Sequence, residues 1–531
     1  MVEPREEATP PQPGERAASG GWYPWRGWSG ALWWGAAALG TGAVWGLCFQ
    51  ARPRPLLALV ALAPLLGLLL APGAEPAVRW PVRSWRRCFT LGWLHGLGCW
   101  LASIPWIAGV LRRYGELPAW LALVLLVVLC AYLGVYHGVF ALLARSLLAS
   151  GRAVWIALAL PGAWVGLEWL RSVLLTGFPW NLAAYAWVGV PGALPASAWV
   201  GSYGISFLVV LVQVAVVQAA RLRSARPLLW AAPAAALLAA AAWATPPVAS
   251  VPEGGVPVRV VQPNIGIEDA SPEAFARLLE LSVCPPQGGL LVWPESAAWP
   301  RSWQGDAPLR SALLEIAADG CEALINTTRW EGEHAYNAAM LIGPQGERAS
   351  YDKVHLVPFG EYVPFAGLFP FLDEIARNAG GYDAASEVVT LPWGDEELGV
   401  AICFEITLPS QVALLVARGA TVLVTLTNDA WYGDTSAPRQ HFVAARFRAA
   451  ENRRPLLRAA ITGISAVIDP WGRPLTRLGV GETGVLDWRI VGRETRTPYS
   501  RFPWLTPTVA AGLAALGLAR TRGGTAADGR E

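Results

Sequence analysis

The apolar residues of this chain gather in blocks of membrane-spanning length, about 20 residues for a ~30 Å hydrocarbon core. They fall near 30–49, 55–72, 88–110, 117–144, 153–175, 196–220 and 227–245, with an eighth near 503–519. The second and eighth are short. Backbone placed in lipid must satisfy its own polar groups, so the blocks predict helices. Composition agrees: 54% hydrophobic, 15% charged and a mean hydropathy of +0.37 over 531 residues exclude a disordered chain and argue against a purely soluble one. A net charge of +2 gives no electrostatic case for a nucleic-acid partner.

The expected organisation is a polar tail at 1–29, a membrane domain of about seven helices at 30–245, a linker at 246–256, a second domain at 257–495, a C-terminal span at 503–519 and a tail at 520–531. No small-residue cleavage site follows the first apolar block, which reads as an anchor. With the N-terminus in the cytoplasm, fifteen Arg residues fall in cytoplasmic segments, among them Arg83, Arg86, Arg87, Arg221 and Arg223. Five (Arg52, Arg54, Arg112, Arg113 and Arg171) fall outside. The positive-inside bias places both termini in the cytoplasm and residues 246–500 outside it. Many of the 29 Trp lie near span ends, where interface anchors belong. Glu168 and Arg171 share a helix face and are able to pair, either as a structural pair or beside a substrate cleft. His95 and His137 read as packing residues.

Residues 257–495 change character. VPVRVVQPN, LLVWPES, EALINTT, NAAMLIG, LGVAICFE, ATVLVTLTND, LLRAAIT and ISAVIDP have strand length and β-rich composition. Helical stretches such as SPEAFARLLELS and SAPRQHFVAARFRAAENR lie between several of them. The alternation argues an α/β domain with a layered sheet, and its later part suggests a second, partly antiparallel sheet. Cys284, Cys321 and Cys403 are odd in number, and no Cys/His spacing supports a metal site. Simple burial is expected for Cys284 and Cys321 rather than a bond between them.

Of the 41 basic residues, 40 are Arg and one is Lys, at position 353. Arg serves at most surfaces, but a tight pocket that needs a compact ammonium requires Lys. Lys353 lies in YDKVHLVPFGEYVP, Glu295 in LLVWPES and Cys403 in LGVAICFE, each near a strand end. By residue type they can supply a cation, a base and a thiol nucleophile. Taken singly, Cys403 reads equally well as one more buried Cys, Glu295 as a helix cap and Lys353 as a surface charge.

These segments resemble the nitrilase superfamily, in which Glu, Lys and Cys follow one another in that order. Together with the apolar blocks, WPES, YDKVHLVPFGEYVP, GVAICFE, TLTNDAWYG and RQHFVAARFRAAENRRPLLRAAITGIS resemble its membrane-bound apolipoprotein N-acyltransferase family. The resemblance implies an α-β-β-α sandwich following a polytopic helical domain. It implies Cys403 as nucleophile, Glu295 as general base and Lys353 as oxyanion stabiliser, with Glu361 and Glu405 as further site carboxylates. Asn337, Asn428, Trp431, Arg446 and Thr462 are implied as pocket or scaffold positions. Phe404 stands where many members have Tyr.

The implied reaction moves an acyl chain from a membrane phospholipid through a Cys thioester to the amine of an S-diacylglyceryl apolipoprotein, without metal or cofactor. The implied setting is the bacterial inner membrane with the catalytic domain on its outer side. One chain carries every part, so a monomer is expected. Phe359, Phe365, Phe369 and Phe371 suggest a mobile lid or membrane-dipping arm, or else a buried loop. The rival readings are a tethered nitrilase or amidase acting on a small amide, and a transporter or receptor whose outer domain only binds.

Overall fold

Proline and glycine decide where the apolar blocks become helices. The computed structural model describes residues 28–50, 54–70, 84–149, 153–248, 254–267, 269–285, 288–358, 360–362 and 381–527. The first block forms α1 (Trp28–Gly46). The second forms only a short turn and α2 (Ala63–Leu70), too short to span. The third is bent by 59° into α3 (Trp85–Ser103) and α4 (Trp106–Arg113). Pro105 causes the break: the residue before a proline disfavours helical backbone, and Ile104 leaves it at φ −126°, ψ 36°. Then come α5 (Ala119–Ala149), α6 (Ala153–Arg171), α7 (Ala193–Leu222) and α8 (Ala232–Trp243). Among the described residues, five helices are long and apolar enough to cross a membrane, or six if the bent pair is one span.

Two close approaches tie the membrane helices together. A Cβ on Gly162 of α6 would meet the Ala510 carbonyl of the C-terminal helix (Leu505–Ala527) at 2.5 Å, so only glycine allows that packing. Inside α7, Gly201 takes φ 68° and breaks the helix. The break frees the Ser202 N–H, which donates to Glu451 Oε1 at 2.6 Å. Glu451 belongs to the second domain, so this kink is a docking point between the two. His95 and His137 face each other with their Nδ1 atoms 3.1 Å apart, joining α3 to α5. Glu168 and Arg171 are both buried, and each hydrogen-bonds to backbone groups. Glu168 accepts from Ala183 N at 2.7 Å, and Arg171 donates to the Trp180 carbonyl at 2.8 Å. Each thus pins the loop after α6.

The second domain holds two six-stranded sheets. The first has the order β12 (Gly484–Ile490), β1 (Val256–Gln262), β2 (Gly289–Val292), β3 (Cys321–Glu331), β4 (His334–Gly343), β5 (Gly346–Asp352). The second has the order β11 (Pro474–Arg477), β10 (Ala466–Ile468), β9 (Leu456–Ala460), β8 (Val422–Thr427), β7 (Glu396–Ile402), β6 (Leu391–Trp393). The pairs β1/β2, β2/β3, β7/β8 and β8/β9 are parallel.

Strand alternation assigns the faces. Leu290, Val292 and Leu324 pack inward against Val400, Ile402 and Val424 of the facing sheet. Leu291, Ala323 and Ile325 turn outward beneath α9 (Pro272–Leu281) and α10 (Ala307–Ala318), which contribute Leu278, Leu309 and Leu313. On the other side, Ala401 and Leu423 pack with Val412 and Leu415 of α11 (Pro409–Ala417) and Ala445 and Ala449 of α12 (Ala437–Asn452). The result is the α-β-β-α sandwich, following a polytopic helical domain.

The cysteine expectation is corrected. Cys284 and Cys321 form a disulfide with Cα atoms 5.8 Å apart. Parallel pairing sets Cys321 opposite Gly289, which brings the segment before β2 alongside the start of β3. Cys403 is therefore the free thiol of this domain.

Candidate active site

Four adjoining strand ends build the site. Cys403 directly follows β7, Lys353 directly follows β5, Glu295 lies just past β2, and Thr427 and Asn428 end β8. Of these, β2, β7 and β8 lie in parallel pairs, and β5 is an edge strand antiparallel to β4. Cys403 takes a left-handed backbone, φ 53°. A non-glycine residue holds that conformation only when its surroundings over-determine it.

Lys353 is almost wholly buried, at 1% exposure. Its Nζ lies 2.8 Å from Glu361 Oε1 and 3.6 Å from Glu295 Oε1. Burial alone would lower its pKa, but Glu361 and Glu295 outweigh that and raise it above the usual lysine range. The ammonium therefore stays charged. Asn337 uses both amide hydrogens as a spacer, donating to Glu295 Oε1 at 3.0 Å and Glu361 Oε1 at 2.8 Å. Its own oxygen accepts from Asn326 Nδ2 at 2.6 Å. Glu295 Oε2 accepts from Asn428 N at 2.8 Å, and Glu361 Oε2 accepts from Val357 N at 2.8 Å.

Burial pushes the Cys403 thiol well above its ordinary range, Glu295 adds to the shift, and Lys353 opposes it. The resting group is thus a thiol, and it needs a base before it can attack. After burial, the charges that act most on the thiol are those of Glu295 and Lys353, in opposite directions.

The remaining expected residues divide into supports and outliers. Glu405 is fully buried and accepts from the backbone N–H groups of Ile402, Val354 and His355, from the Tyr351 hydroxyl and from Gln411 Nε2. It binds the strand that ends at Cys403 to the segment bearing Lys353. Phe404 stacks on Trp180 of the membrane domain at 6.4 Å and 6°. Asn428 caps its own turn by accepting from Ala430 N at 3.2 Å. Trp431 is more than a third exposed and packs edge-on against Tyr114, apart from the carboxylate cluster. Arg446 donates to the Gly472 carbonyl at 2.8 Å, a structural tie. Thr462 lines an open cleft of about 720 Å³ with Arg113, Tyr114 and Ala430. Phe359, Phe365, Phe369 and Phe371 lie outside the described residues.

Several contributors carried no individual signal. Tyr351 and Gln411 orient Glu405, and Asn326 orients Asn337. The Thr427 hydroxyl lies 3.5 Å from Cys403 Sγ. Its trace in the sequence is a polar residue ending VLVTLT, a strand buried along its whole length. Trp180 and Gln440 join the site to the membrane domain: Gln440 Oε1 accepts from Trp180 Nε1 at 2.7 Å and Trp106 Nε1 at 3.2 Å.

Residues 41–215 match the family described as apolipoprotein N-acyltransferase N-terminal domain, and residues 214–498 match carbon-nitrogen hydrolase. The chain is 33% identical over 506 residues to an apolipoprotein N-acyltransferase of Geobacter metallireducens, covering 90% of this chain and 94% of that protein. It is 36% identical over 432 residues to one of Agrobacterium fabrum, covering 76% and 80%. Among solved structures, a Nesterenkonia amidase of the nitrilase superfamily aligns with TM-score 0.36 and 25% identity over 46% of this chain and 93% of that one. The chain belongs to the apolipoprotein N-acyltransferase family.

Proposed function

We propose that Cys403 is the nucleophile through which this acyltransferase moves an acyl chain from a membrane phospholipid to an apolipoprotein. The observation that carries the reading is the buried Lys353, held between Glu361 and Glu295, beside a thiol in a left-handed backbone.

In the first half, Glu295 takes the Sγ proton and the thiolate attacks an ester carbonyl of the phospholipid. Lys353 Nζ stabilises the oxyanion, where preorganised charge in a dry site is most effective. Collapse breaks the ester C–O bond, Glu295 returns the proton to the leaving alkoxide, and a lysophospholipid departs. Cys403 then carries the acyl group as a thioester. In the second half, the neutral α-amine of an S-diacylglyceryl-cysteine attacks, Glu295 takes an amine proton, and the thiol is released as the amide forms. Storing the acyl group on the enzyme lets two bulky lipids use one site in turn.

The protein is a multi-pass membrane protein of inner-membrane type. The excess of Arg in alternate loops supports an outward-facing catalytic domain with both termini in the cytoplasm. The Cys284–Cys321 disulfide supports the same side, since such bonds persist in oxidising compartments. Placing the site next to the bilayer suits substrates whose chains are embedded there.

The test is to incubate purified protein with acyl-labelled phospholipid and a diacylglyceryl-cysteine peptide. Label in an amide on the peptide is expected. Release of the label only as free fatty acid, or turnover of small amides with no transfer, would refute the reading.

A further inference from the structure

The left-handed backbone of Cys403 needs something to hold it, and the reaction steps above do not say what does. Two contacts bracket the residue. On its N-terminal side, Ile402 N–H donates to Glu405 Oε2 at 2.8 Å. On its C-terminal side, the Cys403 carbonyl lies 3.0 Å from Nε2 of His441, a fully buried residue in the second turn of α12. The other ring nitrogen of His441, Nδ1, lies 3.0 Å from Asp429 Oδ1. Arg458 Nη2 is 2.7 Å from Asp429 Oδ2 and 3.3 Å from that same Nδ1.

These partners assign the ring hydrogens. A carbonyl accepts only, so Nε2 carries a hydrogen. Nδ1 either donates to Asp429 or accepts from Arg458, and the bond to Cys403 is the same in both cases. Asp429, His441 and Arg458 are all fully buried side chains, and a set of this kind is costly unless every member is paired. Thr427 extends the set to the sulfur: its hydroxyl lies 3.0 Å from Asp429 Oδ1 and 3.5 Å from Cys403 Sγ. Arg458 offsets the Asp429 charge, which would otherwise oppose a thiolate beside Thr427.

We infer that His441 is a positioning residue for the nucleophile: its Nε2–H fixes the Cys403 peptide, and Asp429 and Arg458 fix the ring. The inference rests on the reading of Cys403 as nucleophile. Turning the Cys403 peptide would move Sγ away from Lys353 and Glu295, and a misplacement of about 1 Å can cost on the order of 100-fold in rate. Gln440, the preceding residue, bonds the membrane domain, so a single turn of α12 connects the lipid-embedded helices to the thiol.

Two substitutions separate positioning from core filling. A Gln amide reaches the place of the imidazole Nε2 and keeps a donor for the Cys403 carbonyl. An Asn amide reaches only the place of Nδ1 and keeps the Asp429 contact instead. The experiment uses full-length protein in detergent with acyl-labelled phospholipid, and reads the rate of adduct formation on Cys403 together with the melting temperature. His441→Gln is expected to acylate within about tenfold of wild type, and His441→Asn at least about 100-fold slower, at similar melting temperatures. An Asn variant as fast as the Gln variant would overturn the inference. If the Asn variant does not fold, the Gln variant decides: a folded His441→Gln protein slowed about 100-fold overturns it as well. Lack of any adduct on wild type would instead overturn the nucleophile reading, and this inference with it.

Discussion

Lys353 is bound unequally by its two carboxylates: Glu361 Oε1 is 2.8 Å from Nζ, whereas Glu295 Oε1 is 3.6 Å away. The tighter contact orients the ammonium, and in the proposed mechanism the more loosely held Glu295 exchanges a proton with Cys403. A guanidinium is larger and planar, and in the buried surroundings of Lys353 it cannot place a donor where the compact ammonium sits. Lys353→Arg should fold, retain its charge and lose acyl transfer by roughly 100-fold or more, the scale of losing one oxyanion donor. The check is turnover alongside the melting temperature. Near-normal turnover would show that a compact cation is not required.

The Asp429 carboxyl gives a pH signature. Burial alone would raise its pKa, but Arg458 and His441 outweigh that and lower it from 3.8 to about 2. A carboxyl held below its unfolded value contributes stability in full above the unfolded pKa and loses it as pH falls through the folded one. The contribution is roughly 2 kcal/mol by the shift alone. Asp429→Asn should therefore melt below wild type at neutral pH, with the gap narrowing between about pH 4 and pH 2. A gap constant across that range would contradict the assignment.

Gln440 joins the two domains by side-chain bonds. Its oxygen accepts from Trp180 and Trp106, and its nitrogen donates to the Phe49 and Ser103 carbonyls at 2.8 Å each. Gln440→Ala would leave three buried partners and the half-buried Trp106 unmatched, a loss of about 3 kcal/mol or more. Thermal unfolding followed by tryptophan fluorescence should shift downward by several degrees. An unchanged transition would mean that the interface does not depend on these bonds.

The Cys284–Cys321 disulfide closes a loop with a sequence separation of 37. Loop-closure entropy sets its contribution near 3–4 kcal/mol. Replacing both cysteines by Ser should lower the melting temperature, with turnover preserved because neither residue belongs to the site. Equal melting of wild type with and without a reductant that opens the bond would contradict this.

The site was legible where residue type and strand position coincide. Lys353 stands out as the single Lys, and Glu295 and Cys403 each follow an apolar strand. The sandwich was legible in the alternation of strands and helices. The disulfide was not, because its geometry depends on β2 and β3 being parallel neighbours, a tertiary fact. The bend after α3 was marked by Pro105, yet hydropathy runs on through it. His441 and Gln440 were hidden for another reason. Each acts on residues dozens to hundreds of positions away, and nothing local distinguishes them from other polar residues of a buried helix.

The most direct test of the central claim is intact-mass analysis of the full-length protein after incubation with phospholipid alone. Wild type should gain the mass of one acyl chain, removable by hydroxylamine as a thioester is, and Cys403→Ser should lack that adduct. An adduct of the same lability on the Cys403→Ser protein, or wild-type turnover in Cys403→Ala, would contradict the account.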